Sequence, residues 1–147
     1  MAKPFQFEFL LHLAVDKREE AAQGIGVAAN RLAQARDRQA QVEAYREEYR
    51  VRLTDTGMRG IRVFQWNDFQ MFLGRLDTAV EQQVAEVTRC EQALEMAKAA
   101  WLDCEREVKA YETLRERHMD RESKREARFD QKLSDEWASN LQHKRPA

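Results

Sequence analysis

Apolar residues recur in alternating steps of three and four along the second half of the chain. The series begins after residue 72, and only Gln83 in it is polar: Leu73, Leu76, Val80, Gln83, Val87, Cys90, Leu94, Ala97, Trp101, Cys104, Val108 and Tyr111. This alternation keeps one narrow apolar stripe on one side of a helix, which is typical of a coiled coil. It predicts a second helix over about residues 64–141.

The first half carries a similar but less regular stripe from Phe9 to about Leu53. Its members are Leu11, Val15, Ala22, Ile25, Ala29 and Leu32, followed by Ala35, Val42, Tyr45, Tyr49 and Leu53. The shift in spacing after Leu32 is interpreted as a stutter within one continuous helix. The pattern therefore predicts a first helix over about residues 8–54.

Between the two stripes, residues 54–62 read TDTGMRGIR and contain two of the five glycines. A loop over about residues 55–63 follows from this composition. The fold prediction is an all-α antiparallel two-helix coiled-coil hairpin, one domain over residues 1–147, with a continuous parallel dimer as the alternative. Helix one is then long enough to pair helix two only to about residue 110, and the remainder to about Leu141 projects without a partner.

Composition supports helices and excludes some partners. Charged residues make up 35% of the chain, and both prolines, Pro4 and Pro146, lie near the ends. The 25 basic and 26 acidic residues nearly cancel, so no net field directs the chain to nucleic acid or to an anionic membrane. No signal peptide and no apolar run of about 20 residues is found, which predicts a soluble chain.

The sequence offers little material for catalysis or metal binding. His118 and Glu122 have the i, i+4 spacing of a metal pair but lack a third ligand. Cys90 and Cys104 stand 14 residues apart on one predicted helix, too far to form a disulfide. A two-helix hairpin also has little concavity, so we expect no enzyme, no metal site and no cofactor.

An aromatic cluster adjoins the predicted loop. Folding back at the loop places Val42 near Leu76, Tyr45 near Leu73 and Tyr49 near Phe69. Phe64, Trp66 and Phe72 lie beside them, which is a wider apolar arc than a two-stranded seam needs. The cluster is either a cap that closes the hairpin or a docking site, and the two can coexist.

The C-terminal stretch has a second apolar edge at steps of four: Phe129, Leu133, Trp137 and Leu141. Residues 115–132 hold seven basic and five acidic residues, and the interspersed acids disfavour binding to a phosphate backbone. We therefore expect a helix that docks on protein. A structural or nucleic-acid-associated coiled coil is the alternative.

Several motifs resemble those of the FliJ family of flagellar type III export proteins, in matching order along nearly the whole chain. The opening Phe5, Phe7 and Leu10 fits F-x-F-x-x-L, and YREEYR spans residues 45–50. The other matches are Trp66, Phe69, Gln70 and Phe72, then Leu114, Glu116 and Arg117, and finally RFDQKLSDEWA at residues 128–138.

The resemblance implies a hairpin similar to the central stalk of rotary ATPases, a non-catalytic component located at the cytoplasmic face of the inner membrane through its partners. Those partners would be the export ATPase FliI, whose ring receives the end formed by both termini, the export gate protein FlhA, and export chaperones. The related stalk protein of a virulence injectisome is an alternative.

The resemblance also implies two sets of site residues. Gate-binding residues would be Val42, Tyr45, Tyr49, Phe72, Leu76 and Ala79, and ATPase-binding residues would be Arg128, Asp130, Gln131, Lys132, Asp135 and Glu136. Arg38 and Gln83 depart from the polar residues expected at the edges of the gate-binding set.

Overall fold

The computed structural model describes residues 2–144 and contains two long helices packed as an antiparallel hairpin. Helix α1 covers Glu8–Arg59 and helix α2 covers Val63–Lys144. No proline lies inside either helix, so each backbone ladder runs uninterrupted. The predicted fold class is confirmed.

The connection between the helices is shorter than predicted. Helix α1 continues to Arg59, so only residues 60–62 lie outside the helices where a loop over about 55–63 was expected. A salt bridge from Arg59 to Asp55 at 3.4 Å supports the extra turn. The glycine at position 57 does not end the helix, because one helical glycine costs only about 1 kcal/mol. Helix α2 likewise begins at Val63 and runs three residues beyond the predicted end.

Gly60 ends α1 in a left-handed conformation. Its φ is +86°, and its N–H donates to the Gly57 carbonyl at 3.2 Å. A side chain at this position strains the backbone, so we expect Gly60→Ala to lower the free energy of unfolding by about 1 kcal/mol. Thermal unfolding followed by circular dichroism measures this loss.

Gly24→Ala is the matched control for that substitution. Gly24 lies inside α1 and nothing comes within 4 Å of a Cβ built there. Alanine should therefore stabilise the helix by about 0.5–1 kcal/mol. If both substitutions shift stability in the same direction, the turn does not depend on the conformation of Gly60.

Contacts group the residues into two compact units, and the first combines residues 2–19 with 102–144. Leu11, Ala14 and fully buried Val108 form its core, with Val15 and Tyr111 packed against them. Arg18 donates to the Glu105 carboxylate at 2.9 Å beside this core. The unit is a short antiparallel helix pair held by one layer of side chains.

Pairing in this unit extends further along α2 than the expected limit near residue 110. The Phe5 ring lies 5.7 Å from the His118 ring, and His118 Nε2 is 2.7 Å from the Lys3 carbonyl oxygen. The Lys3 N–H donates to Glu122 at 3.3 Å. Residues before Glu8 are not helical, so they advance further per residue than the 1.5 Å of an α-helix.

The second unit covers residues 20–101 and contains the turn. Its core has Leu32, Ala35 and Val87, with Cys90 and Leu94 packed against it. Leu53 and Val80 are also buried. Every position of the ladder predicted in α2 is buried or half-buried across the two units.

The stutter predicted in α1 is absent. Inward positions alternate by three and four without a break: Leu11, Ala14, Arg18, Ala21, Ile25, Ala28, Leu32, Ala35, Gln39, Val42, Arg46, Tyr49 and Leu53. The sequence pattern had selected seven of them: Leu11, Ile25, Leu32, Ala35, Val42, Tyr49 and Leu53. Ala22 and Ala29, which the sequence pattern had selected, are exposed. Polar residues at positions 18, 39 and 46 made a regular ladder look irregular.

Candidate docking surfaces

The aromatic cluster beside the turn is partly used to join the helices. The Tyr49 ring lies edge-on to Phe72 at 4.8 Å and to Phe69 at 6.0 Å between ring centres. Such edge-to-face pairs contribute about 0.5–1.5 kcal/mol beyond the area they bury. The predicted approach of Tyr49 to Phe69 is confirmed, and these side chains close the hairpin.

The residues implied as gate-binding differ in exposure. Five of them lie at half-buried positions along the helix pair: Val42, Tyr49, Phe72, Leu76 and Ala79. Tyr45 is the exposed member, with 48% of its surface accessible. A partner approaching this face would therefore meet Tyr45 first and the edges of the other five.

The environment of Tyr49 disfavours the tyrosinate form. Burial, and secondarily repulsion from Tyr45, raise the pKa of Tyr49 above its usual value. The pKa of Tyr49 is thus higher in the folded state than the value near 10 of the unfolded state. The contribution of Tyr49 to the free energy of unfolding therefore decreases as the pH rises above about 10, because the unfolded chain loses this proton first.

Salt bridges also join the helices in the second unit. Asp77 accepts from Arg46 at 3.4 Å and lies 3.8 Å from Arg50.

The C-terminal part of α2 is exposed. From Ser123 to His143 every side chain is solvent-accessible, including the apolar edge of Phe129, Leu133, Trp137 and Leu141. The residues implied as ATPase-binding share this stretch, and Gln131 donates to Asp135 at 3.0 Å. No other part of residues 2–144 covers the edge, so it can bind a partner.

A third exposed apolar group lies at the turn, beside the aromatic cluster that the sequence indicated to be a cap, a docking site or both. Phe64 and Val63 are each 75% exposed and Met58 is 84% exposed. The Trp66 ring instead packs against Gly57, where an added Cβ would lie 3.0 Å from the ring. Met58 was not selected from the sequence, because it was assigned to the loop. In the structure it lies in the last turn of α1.

Residues 2–144 contain neither a metal-ligand cluster nor a helix that could span a membrane. Across residues 2–144, no cluster of three or more His, Cys, Asp and Glu side chains is arranged to hold a metal ion. His118 and Glu122, the one suggestive pair, both hold the N-terminal segment. Within the same range, neither helix has a stretch apolar and long enough to cross a bilayer.

Comparison with known proteins gives matches along nearly the whole chain. A family model described as "Flagellar FliJ protein" matches residues 3–147. The "Flagellar FliJ protein" of Salmonella typhi is 31% identical over 147 residues, covering 99% of each chain. The protein of the same description from Escherichia coli (strain K12) is 28% identical over 146 residues, again covering 99% of each. Length, order of motifs and hairpin fold thus agree with these matches, and the chain belongs to the FliJ family of flagellar export components.

Proposed function

We propose that this protein binds the ring of the export ATPase FliI through the C-terminal part of α2 and connects it to the export gate protein FlhA and to export chaperones. The observation that carries this proposal is the exposed edge of Phe129, Leu133, Trp137 and Leu141, on the part of α2 that nothing else in residues 2–144 covers. Apolar and aromatic side chains at helical spacing are the usual anchors of a helix in a groove.

The charges around this edge suit an interface rim. Arg128, Asp130, Lys132, Asp135 and Glu136 are all exposed and include both basic and acidic residues. Rim charges set orientation and association rate more than affinity. In the proposed complex the apolar edge supplies the affinity, and these residues align the helix with the ATPase.

The contact with the gate is assigned to the aromatic surface beside the turn. Tyr45 is exposed next to the edge-on pair of Tyr49 and Phe72. Large aromatic side chains on a rigid support are typical hot spots, because little conformational entropy is lost when they bind. The ATPase and gate contacts are thereby proposed for different units of the chain.

Reconstitution with purified components tests the proposal. The full chain is mixed with FliI, and the fraction of ATPase in rings is measured by sedimentation together with ATP hydrolysis. We expect the chain to co-sediment with the ATPase and raise the ring fraction, while hydrolysing no ATP alone. An unchanged ring fraction and no co-sedimentation would contradict the proposed function.

Tyr45 and Tyr49 separate docking from folding at the gate surface. Tyr45→Ala should weaken binding of the cytoplasmic domain of FlhA at least about tenfold. It should leave the free energy of unfolding nearly unchanged, because the Tyr45 side chain is exposed. Tyr49→Ala should lower the free energy of unfolding by about 1–3 kcal/mol, because it removes two aromatic contacts. Titration calorimetry and chemical denaturation measure the two effects.

Val27→Ala is the control for Tyr45→Ala. Val27 is also exposed on α1, with 51% of its surface accessible, but lies away from the aromatic cluster. It should change neither binding nor stability by more than about 0.5 kcal/mol. Equal binding by Tyr45→Ala and Val27→Ala would remove Tyr45 from the gate surface.

A further inference from the structure

A short non-helical segment, residues 2–7, precedes α1 and lies along α2. We name it the N-terminal strap. Its Phe5 ring is 5.7 Å from the His118 ring, and its Lys3 N–H donates to Glu122 at 3.3 Å. Earlier residues of the strap thus contact later residues of α2. The strap therefore runs toward the C-terminal edge, which is formed by Phe129, Leu133, Trp137 and Leu141.

The N-terminal strap and the C-terminal edge share one face of α2. At about 100° per residue, positions 118, 122, 129 and 133 lie within about 60° of one another around the helix. Glu122 and Phe129 are separated by about 10 Å along the helix axis. The Glu122 side chain is 13% exposed under the strap, whereas Phe129 is 61% exposed beyond it. The strap therefore covers the first part of a face whose continuation is open.

Few contacts hold the N-terminal strap on this face. Besides the bond to Glu122, the Lys3 carbonyl oxygen lies 2.7 Å from His118 Nε2. One such hydrogen bond changes an equilibrium only about two- to tenfold. Phe5 and Phe7 are half-buried, while the other strap residues are exposed. An open cleft of about 350 Å³ between the strap and α2 shows that their packing is incomplete. Local opening of the strap is therefore inexpensive.

The C-terminal edge is too small to form a stable interface by itself. A stable interface buries about 800 Å² on each partner and involves roughly 20–30 residues of each. The edge has four apolar side chains, so a protein that binds them must also contact neighbouring surface. Along the same face of α2, the neighbouring surface is the part that the N-terminal strap covers.

We propose that the N-terminal strap is an autoinhibitory contact, which occupies part of the ATPase-binding face and is displaced when the export ATPase binds. His118 and Glu122 then face the ATPase together with Phe129. The inference rests on the proposed function and adds a regulation of the same site. Because the open form is the one that binds, the apparent affinity equals the intrinsic affinity multiplied by the fraction of open molecules.

Phe5→Ala tests the inference by removing the aromatic contact between the N-terminal strap and α2. We expect the affinity of the full chain for the ATPase, measured by titration calorimetry, to rise about three- to tenfold. Phe9→Ala is the matched control, since Phe9 is 75% exposed on α1 outside the strap and should bind within about twofold of the unaltered chain. Equal affinities of the two variants, or weaker binding by Phe5→Ala, overturn the inference.

A distance measurement follows the N-terminal strap directly. Spin labels are attached at Lys3→Cys and Met119→Cys in a chain that also carries Cys90→Ala and Cys104→Ala. The Lys3 label leaves both backbone contacts of that residue in place. The distance between the labels should lengthen by at least about 10 Å when the ATPase binds, because a released segment of six residues can reach about 20 Å. An unchanged distance in the ATPase-bound chain overturns the inference.

Binding of the unaltered chain in the same titrations separates the two possible failures. If the unaltered chain binds the ATPase and the N-terminal strap stays in place, the autoinhibitory contact alone is wrong. If neither the unaltered chain nor the Phe5→Ala variant binds, both the proposed function and the autoinhibitory contact are wrong.

Discussion

Replacing Leu11 with alanine is expected to lower the free energy of unfolding by about 2 kcal/mol. Leu11 is 3% exposed and packs with Ala14 and Val108 in the core of the first unit. Truncating a buried leucine costs about 2–5 kcal/mol. The lower end applies here, because a seam one side chain thick can partly close over the gap.

Leu13→Ala is the control, two residues along the same helix. Leu13 is 40% exposed, so we expect a loss below about 1 kcal/mol. Urea denaturation followed by circular dichroism gives both values, and hydrogen exchange near Leu11 and Val108 shows whether the loss is local. Equal destabilisation by the two substitutions would contradict the pairing of the N-terminal turns of α1 with α2.

Removing the two aromatic anchors of the C-terminal edge is expected to weaken binding to the export ATPase at least about 100-fold. Phe129 is 61% exposed and Trp137 is 68% exposed, so Phe129→Ala with Trp137→Ala leaves no cavity. Aromatic hot spots contribute about 2 kcal/mol or more each, and alanine is the strongest helix former. Helix content should therefore be retained while affinity falls.

Met119→Ala provides the comparison for that variant. Met119 is 55% exposed on α2, ten residues before the edge begins. Its binding to the ATPase, measured by titration calorimetry, should match that of the unaltered chain within about threefold. Full ATPase binding by the Phe129/Trp137 variant would mean that the ring contacts another surface, and the assignment to the C-terminal edge would be wrong.

The second helix could be predicted accurately because its inward positions are almost all apolar. From Leu73 to Tyr111 the only polar position is Gln83, and the predicted ladder coincides with the observed one. The antiparallel fold also followed from the pattern, since one short polar segment separates two stripes of similar kind.

The inward face of the first helix was predicted less accurately, because three of its inward positions are polar. Arg18 and Arg46 are held there by Glu105 and Asp77, and acids on the other helix leave no trace in a hydrophobic pattern. The N-terminal segment was missed for a related reason. It is held by a hydrogen bond from the Lys3 N–H to Glu122 and by the contact of the Lys3 carbonyl oxygen with His118, which periodicity cannot detect.

The docking surfaces were predictable only in part. Spacing located the C-terminal edge, but whether Tyr49 and Phe72 bind a partner or join the helices depended on their distance across the hairpin. The exposure of Met58 and Phe64 depended on where α1 ends. The end of α1 is set by capping at Gly60. The composition of residues 54–62 does not show which of these nine residues ends the helix.

The arginines between the helices also determine how two copies of the chain can meet. In a parallel, in-register dimer each side chain would face its own counterpart, so Arg18 would oppose Arg18 and Arg46 would oppose Arg46. Like charges held that close repel, and neither guanidinium would have the carboxylate that it has now. Arg18 and Arg46 therefore disfavour a parallel, in-register homodimer. Self-association in that arrangement would require both positive charges to be neutralised first.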